Sequence, residues 1–258
     1  MTKIQWKTVD AIHVGPHKIP LGPDVSDGYN QGSGCRRNSP FKRAVKRLLY
    51  PVAKLREDWF VDGFIEEEVG KLIRKYVRQD SVVLEIGCGD VSLRRFIPTN
   101  VIYNGIDLEL TDFHVLNAMR HKNVNLACAS ATNLPVADNS VTLMISTEAL
   151  EHIPAIDKAV EEMHRVCAPG AILVGSIPNN LCYKYDRKGK NTQHINEWSL
   201  EGFVTFMAGH GFEVISTKML GKWLALPRWL STKTYQTAAS SPDEYHNTNF
   251  IFAFRAAK

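Results

Sequence analysis

The sequence predicts an α/β protein built on a doubly wound, mostly parallel sheet with helices on both faces. Three observations carry this expectation. From residue 81 onward, short runs rich in β-branched residues alternate with segments whose apolar residues recur at helical spacing. The first run, "SVVLEIG", opens into a loop with two glycines, Gly87 and Gly89. The second, "YNGIDLEL", carries Asp107, twenty residues after Gly87. A glycine turn after one strand and an acid at the end of the next is how open parallel sheets hold a nucleotide at the carboxyl ends of their strands.

The elements follow in chain order. Residues 1–40 are punctuated by Gly15-Pro16, Gly22-Pro23, Gly28, Gly32 and Gly34, which is loop chemistry and predicts an irregular arm. Ser39 and Pro40 fit the cap and first turn of a helix in which Phe41, Val45, Leu48 and Val52 share one side. Lys42, Arg43, Lys46 and Arg47 make its other side basic, either a solvated face or a contact with an anionic lipid or phosphate. A second helix, "VDGFIEEEVGKLIRKYVRQD", has the stripe Phe64, Ile65, Val69, Leu72, Ile73 and Tyr76. Strands are expected at 82–86, 101–106, 124–128, 141–146 and 171–176. A helix before the last of these is lined by Ile156, Ala159, Val160, Met163 and Val166, and another starts at Ser199 and ends at Gly209 or Gly211. Two late strands, "FEVISTKML" and "NTNFIFAFRA", complete the pattern. The expected division is an accessory segment over 1–60 and a main domain over 61–258 with an insert at 221–245.

Composition narrows the function classes. Of the 258 residues, 44% are hydrophobic and 22% charged, so a packed core is expected. A net charge of +4 is too small to argue for nucleic acid, which is not an expected partner. The five cysteines show no CxxC spacing, so they read as reduced thiols of a cytoplasmic protein, and no metal site is expected. No apolar run reaches the length of a signal peptide or a membrane span, although a peripheral membrane contact through the basic helix remains open.

The glycine loop by itself also describes NAD enzymes. Two features turn the reading away from NAD: Ser92 stands where the third glycine of GxGxxG would be, and Glu85 precedes the glycines. A carboxylate there repels a pyrophosphate and attracts an ammonium group. S-adenosylmethionine has a ribose, an ammonium group and no phosphate, so it suits Glu85 and Asp107 together.

Four stretches in this order, "VVLEIGCGD", "YNGIDLEL", "NLPVADNSVTLMISTEALEHI" and "HRVCAPGAILVGSIPN", resemble the motifs of class I S-adenosylmethionine-dependent methyltransferases of the UbiE-like, Methyltransferase-11 type. The likeness covers about residues 65–215. It implies a Rossmann-like seven-stranded sheet whose last strand is antiparallel. It also implies S-adenosylmethionine as cofactor and S-adenosylhomocysteine as product. By resemblance the cofactor residues are Glu85, Gly87, Cys88, Gly89 and Asp107, with Leu108 on the adenine, Ala131 and Thr132 at its edge, and Ser146 closing the methionine side. Ser130 stands where the family often has Asp, and Ala171 replaces the second glycine of its "KPGG" turn.

Methyl transfer to an alcohol needs a base, and histidine suits proton transfer near neutral pH. The candidates lie after strands four and five: Glu148, Glu151 and His152 in "STEALEHIP", and His194 in "NTQHINEWS". His152 and His194 are the expected catalytic residues. "STEA" stands where base and glutamine N-methyltransferases resemble each other in [ND]PP[YF], which disfavours those acceptors. The aromatic stretch "WLALPRWL" reads either as a satellite core cluster or as a wall for a small-molecule, glycan or lipid-linked acceptor, and the cationic "CYKYDRKGK" with the basic run at 42–47 hints at an anionic one. O-methylation is the leading expectation. N-methylation of a small amine and a non-catalytic cofactor-binding scaffold or sensor are the alternatives.

Overall fold

The computed structural model describes residues 58–110, 112–182, 191–221, 223–225, 234–236 and 240–258. The irregular arm, the basic helix and most of "CYKYDRKGK" lie outside the described residues, as do the side chains of the insert from residue 222 to 239. Chain order gives α1 (Asp58–Tyr76), β1 (Val83–Ile86), β2 (Tyr103–Asp107), α2 (Asp112–Ala118), β3 (Val124–Cys128) and β4 (Val141–Thr147). Then come α3 (Ile156–Val166), β5 (Cys167–Pro178), α4 (Leu200–Gly209), β6 (Phe212–Leu220), a short pair β7 (Trp223–Ala225) and β8 (Thr234–Gln236), and β9 (Asn249–Ala256).

Seven strands form one sheet in the order β3-β2-β1-β4-β5-β9-β6. The first five are mutually parallel, and β9 runs antiparallel to both β5 and β6. This is a doubly wound, Rossmann-like sheet with the last strand reversed. Strand order reverses between β1 and β4, so the loops leaving these two strands diverge and open a crevice at their carboxyl ends.

Each face of the sheet is covered by the helix stripes read from the sequence. On one face Ile65, Val69 and Ile73 of α1 are buried with Val83, Tyr103, Leu126, Leu143 and Ile145. On the other, all five apolar residues of α3 are buried with Leu84, Ile106, Met144 and Leu173. The alternation in β9 is strict: Phe250, Phe252 and Phe254 join the α3 side, while Ile251 and Ala253 join the α1 side. Phe203 of α4 sits among the three phenylalanines at centroid distances of 5.7, 5.0 and 5.8 Å. Burial of one such ring contributes roughly 1.5–3 kcal/mol. Ser199 caps α4 as expected, its hydroxyl accepting from the Gly202 N–H at 3.0 Å.

The largest departures from the sequence reading are at α1 and β5, while β2 is shifted to Tyr103–Asp107. α1 begins at Asp58 and stops at Tyr76, where Ser81 Oγ takes the Arg78 N–H at 2.8 Å and turns the chain into β1. β5 begins at Cys167 rather than 171. Val141 pairs with Cys167 but Leu143 with Ile172, so "APG" bulges out of the strand at Gly170, whose φ is +73°. Among the described residues, no helix is long and apolar enough to cross a membrane.

Gly175 is fixed by packing rather than by a turn. A Cβ there would lie 1.7 Å from the Ser146 carbonyl oxygen, so β5 can sit beside β4 at this point only with glycine. Gly175→Ala is expected to lower the unfolding free energy by at least about 3 kcal/mol, the upper end of ordinary overpacking, because backbone cannot yield as a side chain can. Gly209→Ala, where a Cβ meets nothing within 4 Å, should leave the denaturant midpoint within about 0.5 kcal/mol of wild type.

Candidate active site

The crevice has a side built by β1 and β2 and a side built by β4 and β5. On the first, the chain leaves Ile86 and turns through Gly87 (φ +71°) and Gly89 (φ +44°). A Cβ on Gly87 would lie 2.6 Å from the Ala149 Cβ, so the turn is pressed against the segment after β4. The Gly87 and Cys88 N–H groups both donate to the Ile106 carbonyl, at 2.8 and 3.1 Å. Asp107 is held at the end of β2 by the Gly89 N–H on Oδ2 (3.0 Å) and the Glu109 N–H on Oδ1 (3.3 Å). Each carboxylate oxygen keeps acceptor capacity for an outside donor. Next to it Leu108 is 44% exposed, a large apolar side chain beside an oriented acid. Ala131 and Thr132 are buried after β3, where the Ser130 and Thr132 hydroxyls pair at 2.7 Å. Arg165 and Glu162 of α3 anchor that loop through the Leu134 carbonyl (3.0 Å) and N–H (2.9 Å).

Glu85 lies buried beneath the glycine turn and accepts a hydrogen bond from the Tyr103 hydroxyl. Burial pushes its carboxyl up to about 8; the Tyr103 bond opposes this, and Asp90, Glu66 and Asp107 add to it by repulsion. Tyr103 was not singled out in the sequence. The signal was its register: Tyr103 pairs with Val83, and Glu85 with Gly105, so residues 83, 85 and 103 share one face of the sheet.

On the second side β4 ends at Thr147 and Glu148 takes φ +50°, a conformation that non-glycine residues rarely adopt. Its carboxylate accepts from the Ser176 hydroxyl at 2.7 Å and from Asn249 Nδ2 at 2.9 Å. A single 3₁₀ turn, Leu150–His152, follows. Glu151 is buried and neither of its carboxylate oxygens has a hydrogen-bond partner. Burial pushes it up to about 9, and the neighbouring Glu148 charge adds to this.

The turn is stitched to residues 191–196. The Glu151 carbonyl accepts from the Ile195 and Asn196 N–H groups at 2.8 and 3.0 Å. Asn196 Nδ2 donates to the Leu150 and Ile153 carbonyls at 3.1 and 2.6 Å. These contacts bring His194 to His152, with ring centroids 5.0 Å apart at 77°. His152 Nδ1 lies 2.9 Å from the Gln193 carbonyl, and its Nε2 lies 3.7 Å from Glu151 Oε1.

Thus Gly87, Cys88, Gly89 and Asp107 form one cluster above Glu85, and His152 and His194 form another with Glu151. Cys88 contributes its backbone, since its side chain is buried in the space that Gly105 leaves open. Ser146 is fully buried, in register with Ile86 of β1, and its hydroxyl has no hydrogen-bond partner.

Residues 84–175 match the family described as "Methyltransferase domain". A protein of Mycolicibacterium smegmatis named as a probable S-adenosylmethionine-dependent methyltransferase is 30% identical over 140 residues, covering 52% of this chain and 53% of the relative. Another so named, from Mycobacterium tuberculosis, is 28% identical over 198 residues, covering 75% and 70%. The chain spans about half the length of the first curated relatives it matches. Among solved structures, the YcgJ protein of Bacillus subtilis superposes with a TM-score of 0.60 at 15% identity, covering 74% of this chain and 99% of that one. Motif order, strand order and family match agree, and the chain carries a class I S-adenosylmethionine-dependent methyltransferase domain.

Proposed function

We propose that this chain transfers a methyl group from S-adenosylmethionine to a hydroxyl of a small molecule, glycan or lipid-linked acceptor, with residues 61–258 as the catalytic domain. The observation that carries the reading is the crevice itself: an oriented ribose acid and a buried acid on one side, and a paired histidine cluster on the other. S-adenosylmethionine, when bound, supplies a methyl carbon activated by its sulfonium. Asp107 holds the ribose hydroxyls with the acceptor capacity its two amide bonds leave free. Leu108, Ala131 and Thr132 flank the adenine. Asp90, Glu66 and Asp107 around Glu85 favour a cation and would repel a pyrophosphate, which supports this cofactor over NAD.

An alcohol is a weak nucleophile until its proton is taken. With the His152 Nδ1–H turned to the Gln193 carbonyl, the Nε2 lone pair is left to receive a proton. The His152–His194 pair therefore handles the acceptor proton, and the loops after β4 and β5 hold the oxygen in line with the methyl group.

Calorimetric titration tests the cofactor. S-adenosylmethionine and S-adenosylhomocysteine should bind, NAD should not, and Asp107→Ala should weaken the sulfur nucleotides by about 100-fold, as expected for lost hydrogen bonds to a charged group. Binding of NAD in preference would overturn the assignment. Glu85 gives a second test, with the sign fixed by its raised pKa. At pH 7 the free protein holds it protonated, and an ammonium neighbour favours the carboxylate, so binding must release a proton. Titrations at pH 7 in phosphate and in Tris should show this release as a buffer-dependent heat, and Glu85→Gln should abolish it. Finally, His152→Ala and His194→Ala should each lower methyl incorporation from labelled cofactor into a small-molecule extract by about 10²–10⁴-fold while leaving S-adenosylhomocysteine affinity intact. Unchanged incorporation in both variants would sink the role of the pair.

A further inference from the structure

Glu151, His152 and His194 present a problem that proton transfer alone leaves open. One ligand atom from each lies within 4.8 Å of the other two. The Glu151 carboxylate is buried with neither oxygen hydrogen-bonded. His152 turns Nδ1 to a carbonyl, so its Nε2 presents a lone pair to that carboxylate across 3.7 Å. At 3.7 Å the two groups are too far apart for a direct hydrogen bond, and a buried carboxyl facing a lone pair calls for a proton or a metal cation between them. Glu148 adds a further negative charge nearby, with its own carboxylate oriented by Ser176 and Asn249.

We propose that Glu151, His152 and His194 bind a divalent transition-metal cation of the Zn²⁺ type. One carboxylate and two imidazoles form a donor set that suits such ions and leaves positions open for an oxygen ligand. Ligand atoms on a tetrahedral ion with bonds of about 2.0 Å stand about 3.3 Å apart, so the trio, now within 4.8 Å, closes by up to about 1.5 Å on binding, a distance that side-chain rotation can supply. The Gln193 carbonyl on His152 Nδ1 is the outer contact that fixes a ligating imidazole in the required tautomer. The backbone stitching of 150–153 to 191–196 holds the trio in place without the ion. With the cation bound, the His152 Nε2 lone pair would be occupied, so the cation would activate a coordinated hydroxyl by lowering its pKa, and the hydroxyl proton would leave to solvent rather than to His152. That role rests on the methyltransferase reading, whereas cation binding does not.

The test uses the full chain stripped of metal with a chelator. Co²⁺, a spectroscopic stand-in for Zn²⁺, should bind with one equivalent and give visible d–d absorption without a sulfur charge-transfer band. Zn²⁺ should displace it. Glu151→Gln and His194→Ala should each weaken binding by about 100-fold or more. His246→Ala, which removes a surface histidine paired with Asp243, should leave binding unchanged. Circular dichroism and S-adenosylhomocysteine titration on each variant report whether it is folded. Failure of the wild type to take up Co²⁺ or Zn²⁺, or full binding by folded Glu151→Gln and His194→Ala, would overturn the proposal. Metal uptake without S-adenosylhomocysteine binding would uphold the site and overturn the methyltransferase reading. S-adenosylhomocysteine binding without metal uptake would do the reverse.

Discussion

The pairing of β1 with β4 is the constraint on which the rest depends. Their neighbours lead away in opposite directions, β2 and β3 on one side and β5, β9 and β6 on the other. The loops after β1 and β4 therefore part just beyond Ile86 and Ser146, which stand side by side. The crevice is fixed by strand order before any side chain is specified. Close packing then sets its width: Gly87 lets the first loop press on Ala149, and Gly175 lets β5 approach the Ser146 carbonyl. A side chain at either position would push apart the surfaces it separates.

Each side of this crevice buries an acid. Glu85 has one partner, Tyr103, and Glu151 has no hydrogen bond on either oxygen. Both carboxyls are pushed up by burial, so in the free protein each is costly as an anion. Core packing gives no reason for either; an apolar side chain would fill the space at lower cost. Buried acids beside an open crevice are better understood as waiting for positive charge. A cofactor ammonium would meet that need on the β1 side and a cation on the β4 side. The two sites differ in what surrounds them: the Tyr103 hydroxyl and further carboxylates around Glu85, and two imidazoles with Glu148 around Glu151.

Much of the fold was legible in the sequence because it depends on local periodicity. The stripes of α1 and α3, the alternation of β9 and the Ser199 cap all follow from spacing along the chain. The glycine turn and Asp107 were legible too, since they belong to consecutive strands. The bulge at "APG" was not, because it comes from register with β4 rather than from its own residues. Nor was the Tyr103–Glu85 contact, which needs the pairing of β1 and β2 to be known. His152 and His194 were visible as residue types, but their meeting depends on Asn196 and the Glu151 carbonyl, whose roles appear only once two distant loops lie together.

The two sides of the crevice are thus encoded differently. The cofactor side is written in short motifs joined to the sheet by backbone hydrogen bonds, such as those from Gly87 and Cys88 to Ile106. It can be read from sequence because the turn needs Gly87, where a Cβ would meet Ala149 at 2.6 Å. The β4 side is assembled from loops far apart in the chain, 150–153 and 191–196, joined by hydrogen bonds. Loops so placed can change acceptor chemistry while the sheet and the cofactor side stay fixed. Family membership consequently carries over the cofactor and leaves the acceptor to be argued from the individual site. In this chain that argument runs through Glu151, whose buried carboxyl has no hydrogen-bond partner and lies against His152 and beside His194.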